Sequence, residues 1–264
     1  MRFASLLILA PLASACKKIE PAPKQLDALL HWFFAEYDTA EDEQAAEAFR
    51  NLDAVIVGSD LDEHSDGSIT DLSREEVGDL GPSGESPARA AGIFMVNPIQ
   101  CSLREMGELV TARNQVELYG TYDELERSWD SDVEAFRNGN ADRATWSDDF
   151  TVTILGSTYT ATTNGAGRWV PDLGKEDSPF GRALMTRRVM PEIAEFESGD
   201  NSYDQDFRAE VYYSRKPGVT IHVAAMWREV NVGGFDQDNE SSQRLVLNGM
   251  KDWDEDSEKA CGGR

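Results

Sequence analysis

Apolar residues recur every three or four positions in two segments between residues 26 and 58. The first stripe begins at Leu26 and ends at Tyr37, and the second begins at Ala45 and ends at Leu52. This period is typical of an amphipathic helix with one buried face. The pattern therefore predicts a helical hairpin over residues 26–58.

Alternating apolar and polar positions dominate the second half of the chain. Residues 207–213 and 219–227 alternate strictly, and Pro217-Gly218 stands between them, which predicts a long antiparallel hairpin. The apolar run at residues 92–99 predicts a buried strand. Shorter strands are predicted at residues 150–154, 159–163, 168–170 and 183–190, with turns at Gly156-Ser157 and Asn164-Gly165.

Helix signals lie between and after these strands. A Ser or Thr followed three residues later by Glu is typical of a helix N-terminus. Such pairs predict short helices at Ser73–Glu76, Ser102–Glu105, Thr121–Glu124 and Ser131–Glu134, the last ending at Gly139. A final helix is predicted over residues 239–258. Its inner face would carry Val246, Met250 and Trp253, and its outer face Asp252, Asp254, Glu255, Asp256 and Glu258.

The order of these elements indicates an α+β protein. Residues 59–89 form an acidic region rich in Gly, Pro and Ser between the hairpin and an α+β domain at residues 90–264. An antiparallel sheet must cover its apolar face, and the long C-terminal helix is the available cover. By element order alone, residues 90–260 resemble the helix-grip fold of the START and Bet v 1 superfamily. That resemblance implies a cavity for an apolar ligand between the sheet and the last helix.

The first fifteen residues predict an export signal. Arg2 precedes a short apolar stretch, and small residues then lead to Cys16. Ser14, Ala15 and Cys16 resemble the lipobox of bacterial lipoproteins, although Ala13 stands where a larger aliphatic residue is usual. The resemblance implies cleavage before Cys16, acyl chains such as palmitate on that residue, and a lipidated tether at residues 16–25. Lys17 is not the aspartate that resembles an inner-membrane retention signal. The outer membrane of the cell envelope is therefore favoured over the inner membrane. Ordinary secretion, with an A-x-A cleavage site, is the alternative.

Net charge bears on the possible partners, and the cysteine content bears on a possible disulfide. The chain has 49 acidic and 25 basic residues and a net charge of −24, so we expect no nucleic-acid partner. Cys101 and Cys261 remain once Cys16 carries lipid. In an oxidising compartment they are expected to form a disulfide, and two buried free thiols are the alternative.

Candidate chemistry is sparse along the chain. Residues 60–71 contain the start of a calcium-like loop, with Asp62, His64 and Asp66 at alternate positions. Ser73 stands at the twelfth position of that loop, where calcium binding requires a bidentate glutamate. A solvated turn is the alternative. His222 could act as a general base facing a cavity, or could simply pack at the sheet surface. We find no zinc-protease, nucleophile-elbow or P-loop motif.

These observations predict a non-enzymatic, lipid-anchored envelope protein without a catalytic residue, metal or cofactor. Its partners would be the membrane, through the N-terminal lipid, and an apolar small molecule. Two alternatives stay open. One is an envelope hydrolase that uses carboxylates or His222, and the other is an adaptor or structural lipoprotein with no ligand cavity.

Overall fold

The computed structural model describes residues 21–58, 65–154, 156–171, 181–197, 199–233 and 239–262. The predicted leader, Cys16 and residues 17–20 of the tether lie outside these described residues. The helices are α1 (Leu26–Ala35), α2 (Asp42–Gly58), α3 (Arg74–Val77), α4 (Leu103–Val110), α5 (Gln115–Leu118), α6 (Val133–Arg137) and α7 (Glu240–Gly262). The strands are β1 (Ser65–Ile69), β2 (Ala91–Ile99), β3 (Glu124–Trp129), β4 (Arg143–Ile154), β5 (Ser157–Val170), β6 (Ala183–Val189), β7 (Ala194–Glu195), β8 (Ser202–Lys216) and β9 (Val219–Asn231).

The strands of the described residues form one antiparallel sheet. Its order is β1-β2-β9-β8-β6-β5-β4-β3, and the short strand β7 pairs with β8. The predicted hairpin of β8 and β9 lies near the centre, where each strand alternates between two buried faces. Neighbouring residues of these strands therefore project into different environments on the two sides of the sheet.

The N-terminal helices cover one face of the sheet. The ring of Phe34 on α1 lies 5.8 Å from the ring of Phe207 on β8 and 5.7 Å from that of Trp227 on β9. Phe49 on α2 packs 6.1 Å from Tyr213. The predicted helical hairpin is thus present, and its apolar stripe joins the apolar positions of β8 and β9 in one core.

Helices α4, α6 and α7 pack on the opposite face. Helix α7 lies along β2, with Leu247 packed in a cluster with Ile93, Met95 and Met226. Toward β4 and β5, residues of α4 and α6 form a second cluster that includes Phe136, Trp146 and Trp169. Helix α4 also contacts β6, β8 and β9, and the second cluster extends to Leu184 on β6 and Tyr212 on β8. The predicted fold class, a helical hairpin followed by an antiparallel sheet covered by a long C-terminal helix, is confirmed.

Several local predictions differ from the structure. The Thr121–Glu124 pair does not begin a helix, because strand β3 starts at Glu124 and pairs with β4. The turn predicted at Asn164-Gly165 is absent from the described chain, since β5 continues through both residues. Gly165 is needed there because a Cβ would lie 2.2 Å from the ring of Trp146. Pairing of long strands has overridden these local signals.

Two further differences lie at element ends. The region predicted as mainly loop contributes strand β1, which pairs with β2 at the sheet edge. Asp132, rather than Ser131, caps α6 by accepting a hydrogen bond from the backbone N–H of Ala135. The capping boxes at Ser73 and Ser102 are present as predicted. Among the described residues, no helix is both long and apolar enough to cross a membrane.

Candidate functional site

Three cross-strand neighbours form a polar row on the face beneath α7. Asn97 on β2 is opposite His222 on β9, and His222 is opposite Tyr212 on β8. Residues directly opposite on antiparallel strands share a face and interact through their side chains. All three side chains are buried. The sheet register therefore places an amide, an imidazole and a phenol side by side under the C-terminal helix.

Asp254 on α7 reaches down to this row. Its Oδ1 lies 2.7 Å from Nδ1 of His222, and its Oδ2 accepts a 2.7 Å hydrogen bond from Nδ2 of Asn97. Asp254 is only 1% exposed, so its predicted place on the outer face of the helix is wrong. The buried residues Leu247, Asp254 and Cys261 are spaced seven apart, which places them on one helix face. That spacing was the signal available in the sequence.

His222 is held in a charged and aromatic environment. Burial opposes its protonation, but the charges of Asp254 and Glu210 outweigh burial, so the pKa of His222 is raised. The ring of Tyr212 stacks on the imidazole with 4.4 Å between centroids. Within the described structure, Nε2 of His222 is buried and has no hydrogen-bond partner. The residue therefore serves first as an anchor for Asp254 of α7.

Glu210 continues the polar row toward the centre of the sheet. Its Oε2 accepts hydrogen bonds of 3.1 Å from the hydroxyls of Tyr212 and Thr186. Burial raises the pKa of Glu210, but the charges of His222 and Arg188 more than offset that effect and lower it. Glu210 is thus an ionised carboxylate at neutral pH.

Arg188 lies in the middle of the same face, on β6. Its Nη2 is 3.7 Å from Oδ2 of Asp148, and its Nη1 lies 3.4 Å from the hydroxyl of Tyr122. Asp148 already receives two shorter bonds, of 2.5 and 2.7 Å, from Arg127. Arg188 therefore has only long contacts with its neighbours, and its side chain remains 13% exposed.

Arg208 on β8 is directly opposite Arg188 in the strand register. Its Nε and Nη2 donate to Asp206 at 2.7 and 3.0 Å. Arg228 on β9 donates to the same carboxylate at 3.0 and 2.7 Å. Burial opposes ionisation of Asp206, but the two guanidinium groups lower its pKa far below the ordinary value. Two cations therefore share one anion.

Five partly exposed side chains lie on this side of the sheet, and we call the surface that they form the central groove: Tyr122, Arg188, Arg208, Glu210 and Arg228. The arginine side chains are 13%, 23% and 24% exposed at positions 188, 208 and 228. They lie on β6, β8 and β9, in the interior of the sheet. Helices packed directly on these side chains would exclude solvent from them. Solvent therefore reaches these three side chains in the interior of the sheet.

The site residues predicted from the sequence are not among those that define the central groove. Cys16 lies outside the described residues. Cys101 and Cys261 are joined by a disulfide with Cα atoms 5.6 Å apart, which fixes the last turn of α7 to the segment after β2. The carboxylate of Glu105 lies close to these sulfurs. Because bonded sulfurs are not thiolates, this group does not provide a metal site of the zinc type.

The acidic loop falls partly outside the described chain, which omits Asp62 and His64. Asp66 lies on β1 and forms a 2.6 Å ion pair with Lys251 of α7. Ser73, at the twelfth position of the calcium-like loop, is the N-cap of α3. The described part of the loop thus joins an edge strand to α7 and supplies no bidentate glutamate there. Sequence reasoning missed the groove arginines because pairing of different strands brings Arg188 beside Arg208, and Arg228 beside Asp206.

Comparison with known proteins gives structural likeness only. No family model and no curated protein matches the sequence. Human STARD10 superposes with a TM-score of 0.45 and 10% identity over 83% of this chain and 80% of that chain. The human StarD13 lipid transfer and protein localization domain gives 0.42 and 9%, over 74% and 84% of the two chains. A START superfamily protein from Mycobacterium smegmatis gives 0.40 and 10%, over 65% and 97%.

Proposed function

We propose that this chain is a membrane-anchored, non-enzymatic protein that binds a small amphiphilic molecule in the central groove. The exposure of Arg188 is the observation that carries the proposal. This guanidinium on an interior strand has long contacts only and is 13% exposed, so solvent reaches it in the middle of the sheet. Ligand sites combine a concave surface with a few well-placed polar groups.

Aromatic side chains beside the arginines support an apolar part of the ligand. Tyr122, whose hydroxyl contacts Arg188, packs edge-on at 5.5 Å against Phe150. The guanidinium of Arg228 lies 5.0 Å from the ring centre of Tyr203. These rings belong to an apolar cluster at one end of the groove. A ligand with a polar end over the arginines and an apolar end toward this cluster fits the arrangement.

His222 does not favour the hydrolase alternative. A general base must lie within hydrogen-bonding reach of the proton that it removes. In the described structure Nε2 is buried, and the Nδ1 atom is occupied by Asp254. Among the described residues, the imidazole therefore has neither a hydrogen-bonded nucleophile nor access from solvent, which supports binding rather than hydrolysis as the role of this face.

The anchor part of the proposal is supported by the sequence around Cys16. Several acyl chains on one residue would give stable attachment, since a single chain binds membranes only weakly. We place the protein in the cell envelope, at the outer membrane. Mass spectrometry of the protein extracted from its native membrane should find acyl chains on Cys16. A Cys16→Ser variant should lack that mass, and an unmodified Cys16 in the wild type would contradict the anchor.

A titration with the neutral fluorophore N-phenyl-1-naphthylamine tests the groove. We expect saturable binding at one site in the wild type and loss of binding in Arg188→Trp, which fills the groove. Arg244→Trp changes an arginine on the exposed side of α7 and should bind as the wild type does. Tyr122→Ala provides a second groove variant if Arg188→Trp does not unfold cooperatively. Equal binding by the groove variants and the control would overturn the proposal.

A further inference from the structure

The geometry points to a ligand that carries a single carboxylate, bound between Arg188 and Arg208. This inference rests on the proposed function, because it identifies the polar end of the molecule that the central groove would take. It is supported by the register of the two arginines, by their remaining hydrogen-bond donors and by the local balance of charge.

Register places two cations side by side. Arg188 and Arg208 are direct partners on the antiparallel strands β6 and β8, and both project onto the face beneath α7. Like charges directly opposite on neighbouring strands destabilise a sheet. An anion bound between two such side chains would relieve that repulsion.

The donors of these arginines are incompletely used within the described residues. Arg208 donates from Nε and Nη2 to Asp206, and no bond is formed by its Nη1. Arg188 contacts Asp148 and Tyr122 only at 3.7 and 3.4 Å. The planar fork of a guanidinium matches the two oxygens of a carboxylate. Both residues can therefore offer donors to an incoming carboxylate while they keep their present partners.

The charge balance favours a monoanion. Three cations line the groove, Arg188, Arg208 and Arg228, and two carboxylates, Asp206 and Glu210, face them. Asp148 is engaged in a bidentate pair with Arg127. One positive charge is thus left over, in a chain whose net charge is −24. A single carboxylate neutralises this excess, whereas a dianion would exceed it.

Binding of octanoate, octanamide and acetate to the full chain, measured by calorimetry at pH 7.5, tests the inference. The first two compounds share an apolar chain and differ in charge. We expect octanoate to bind at least tenfold more tightly than octanamide. In Arg208→Met the two should bind equally, whereas Arg244→Met, altered on the exposed side of α7, should preserve the difference.

The outcomes separate the inference from the proposed function. Equal affinity of octanoate and octanamide for the wild type would overturn the carboxylate assignment and leave groove binding in place. Failure of both to bind would contradict the proposed function itself. If acetate binds as tightly as octanoate, the site recognises the carboxylate alone, and the proposal of an amphiphilic ligand is overturned. If Arg208→Met fails to fold, Arg208→Lys keeps the charge without the fork and should reduce the preference for octanoate.

Discussion

His222 on β9 and Asp254 on α7 form a buried pair, with 2.7 Å between Nδ1 and Oδ1 and both side chains at most 3% exposed. This contact joins the C-terminal helix to an interior strand. Asn97 donates to the second oxygen of Asp254, so two strands hold one carboxylate. The helix is thereby fixed at its middle by charge, at its N-terminal part by Leu247 and at its end by a disulfide.

Removal of Asp254 should destabilise the protein strongly. Asp254→Ala leaves His222 and Asn97 buried without their partner, and breaking a buried pair in this way costs about 3–5 kcal/mol. The free energy of unfolding, from urea denaturation, measures the loss. Asp252→Ala removes an exposed carboxylate two residues away and should change stability by less than about 0.5 kcal/mol. Equal losses in the two variants would contradict the role of the pair.

The His222 pair should also make stability depend on pH. The pKa of His222 is raised in the folded state from 6.5, so its contribution is fully present below pH 6.5 and is lost as pH rises through the folded value. We expect the difference in unfolding free energy between wild type and His222→Gln to be largest near pH 6 and smaller at pH 9. A difference that grows with pH would contradict the raised pKa.

Acid should weaken the central groove for the opposite reason. The pKa of Glu210 is lowered from 4.5, so its contribution is present above pH 4.5 and disappears as pH falls through the folded value. Glu210→Gln should therefore lose stability relative to the wild type at pH 7, with a smaller deficit near pH 3. Parallel denaturation curves at both pH values measure this, and a constant deficit would exclude the ionised carboxylate.

Loss of the disulfide should loosen the end of α7. The Cys101–Cys261 bond closes a loop of 160 residues in sequence. The chain-entropy model gives about 4–5 kcal/mol for such a loop, and measured gains are often smaller. A Cys101→Ser/Cys261→Ser double variant should unfold at lower urea concentration and exchange the last amides of α7 faster. Wild type with reductant provides the comparison, and unchanged exchange would contradict the anchoring role.

Two glycines should respond oppositely to alanine. At Gly165 the new Cβ would meet the Trp146 ring, so Gly165→Ala should cost about 1–3 kcal/mol from overpacking. Gly249 is exposed on α7, and nothing lies within 4 Å of its Cβ position, so Gly249→Ala should stabilise by about 0.5–1 kcal/mol. Thermal unfolding of both variants measures the two shifts, and the same sign in both would contradict this account.

Local patterns were sufficient where an element carries its own signal. Helices α1 and α2 have an apolar stripe, α3 and α4 have capping boxes, and the hairpin of β8 and β9 has strict alternation. Each signal depends on neighbours within a few residues, so it can be recognised from the sequence alone. The same signals failed at Thr121 and Asn164, where pairing with a distant strand decided the conformation.

The sequence by itself determined the α+β class, the helical hairpin and the long C-terminal helix, and it predicts an export signal before Cys16. Only the tertiary structure decided that Asp254 binds His222 and Asn97 and that Arg188 and Arg208 face each other. The contacts of Asp254 require α7 to pack over the strands that carry His222 and Asn97. The placement of Arg188 beside Arg208 depends on strand register, and a one-residue shift would move the side chains of that strand to the other face. The central groove is therefore a property of the assembled sheet.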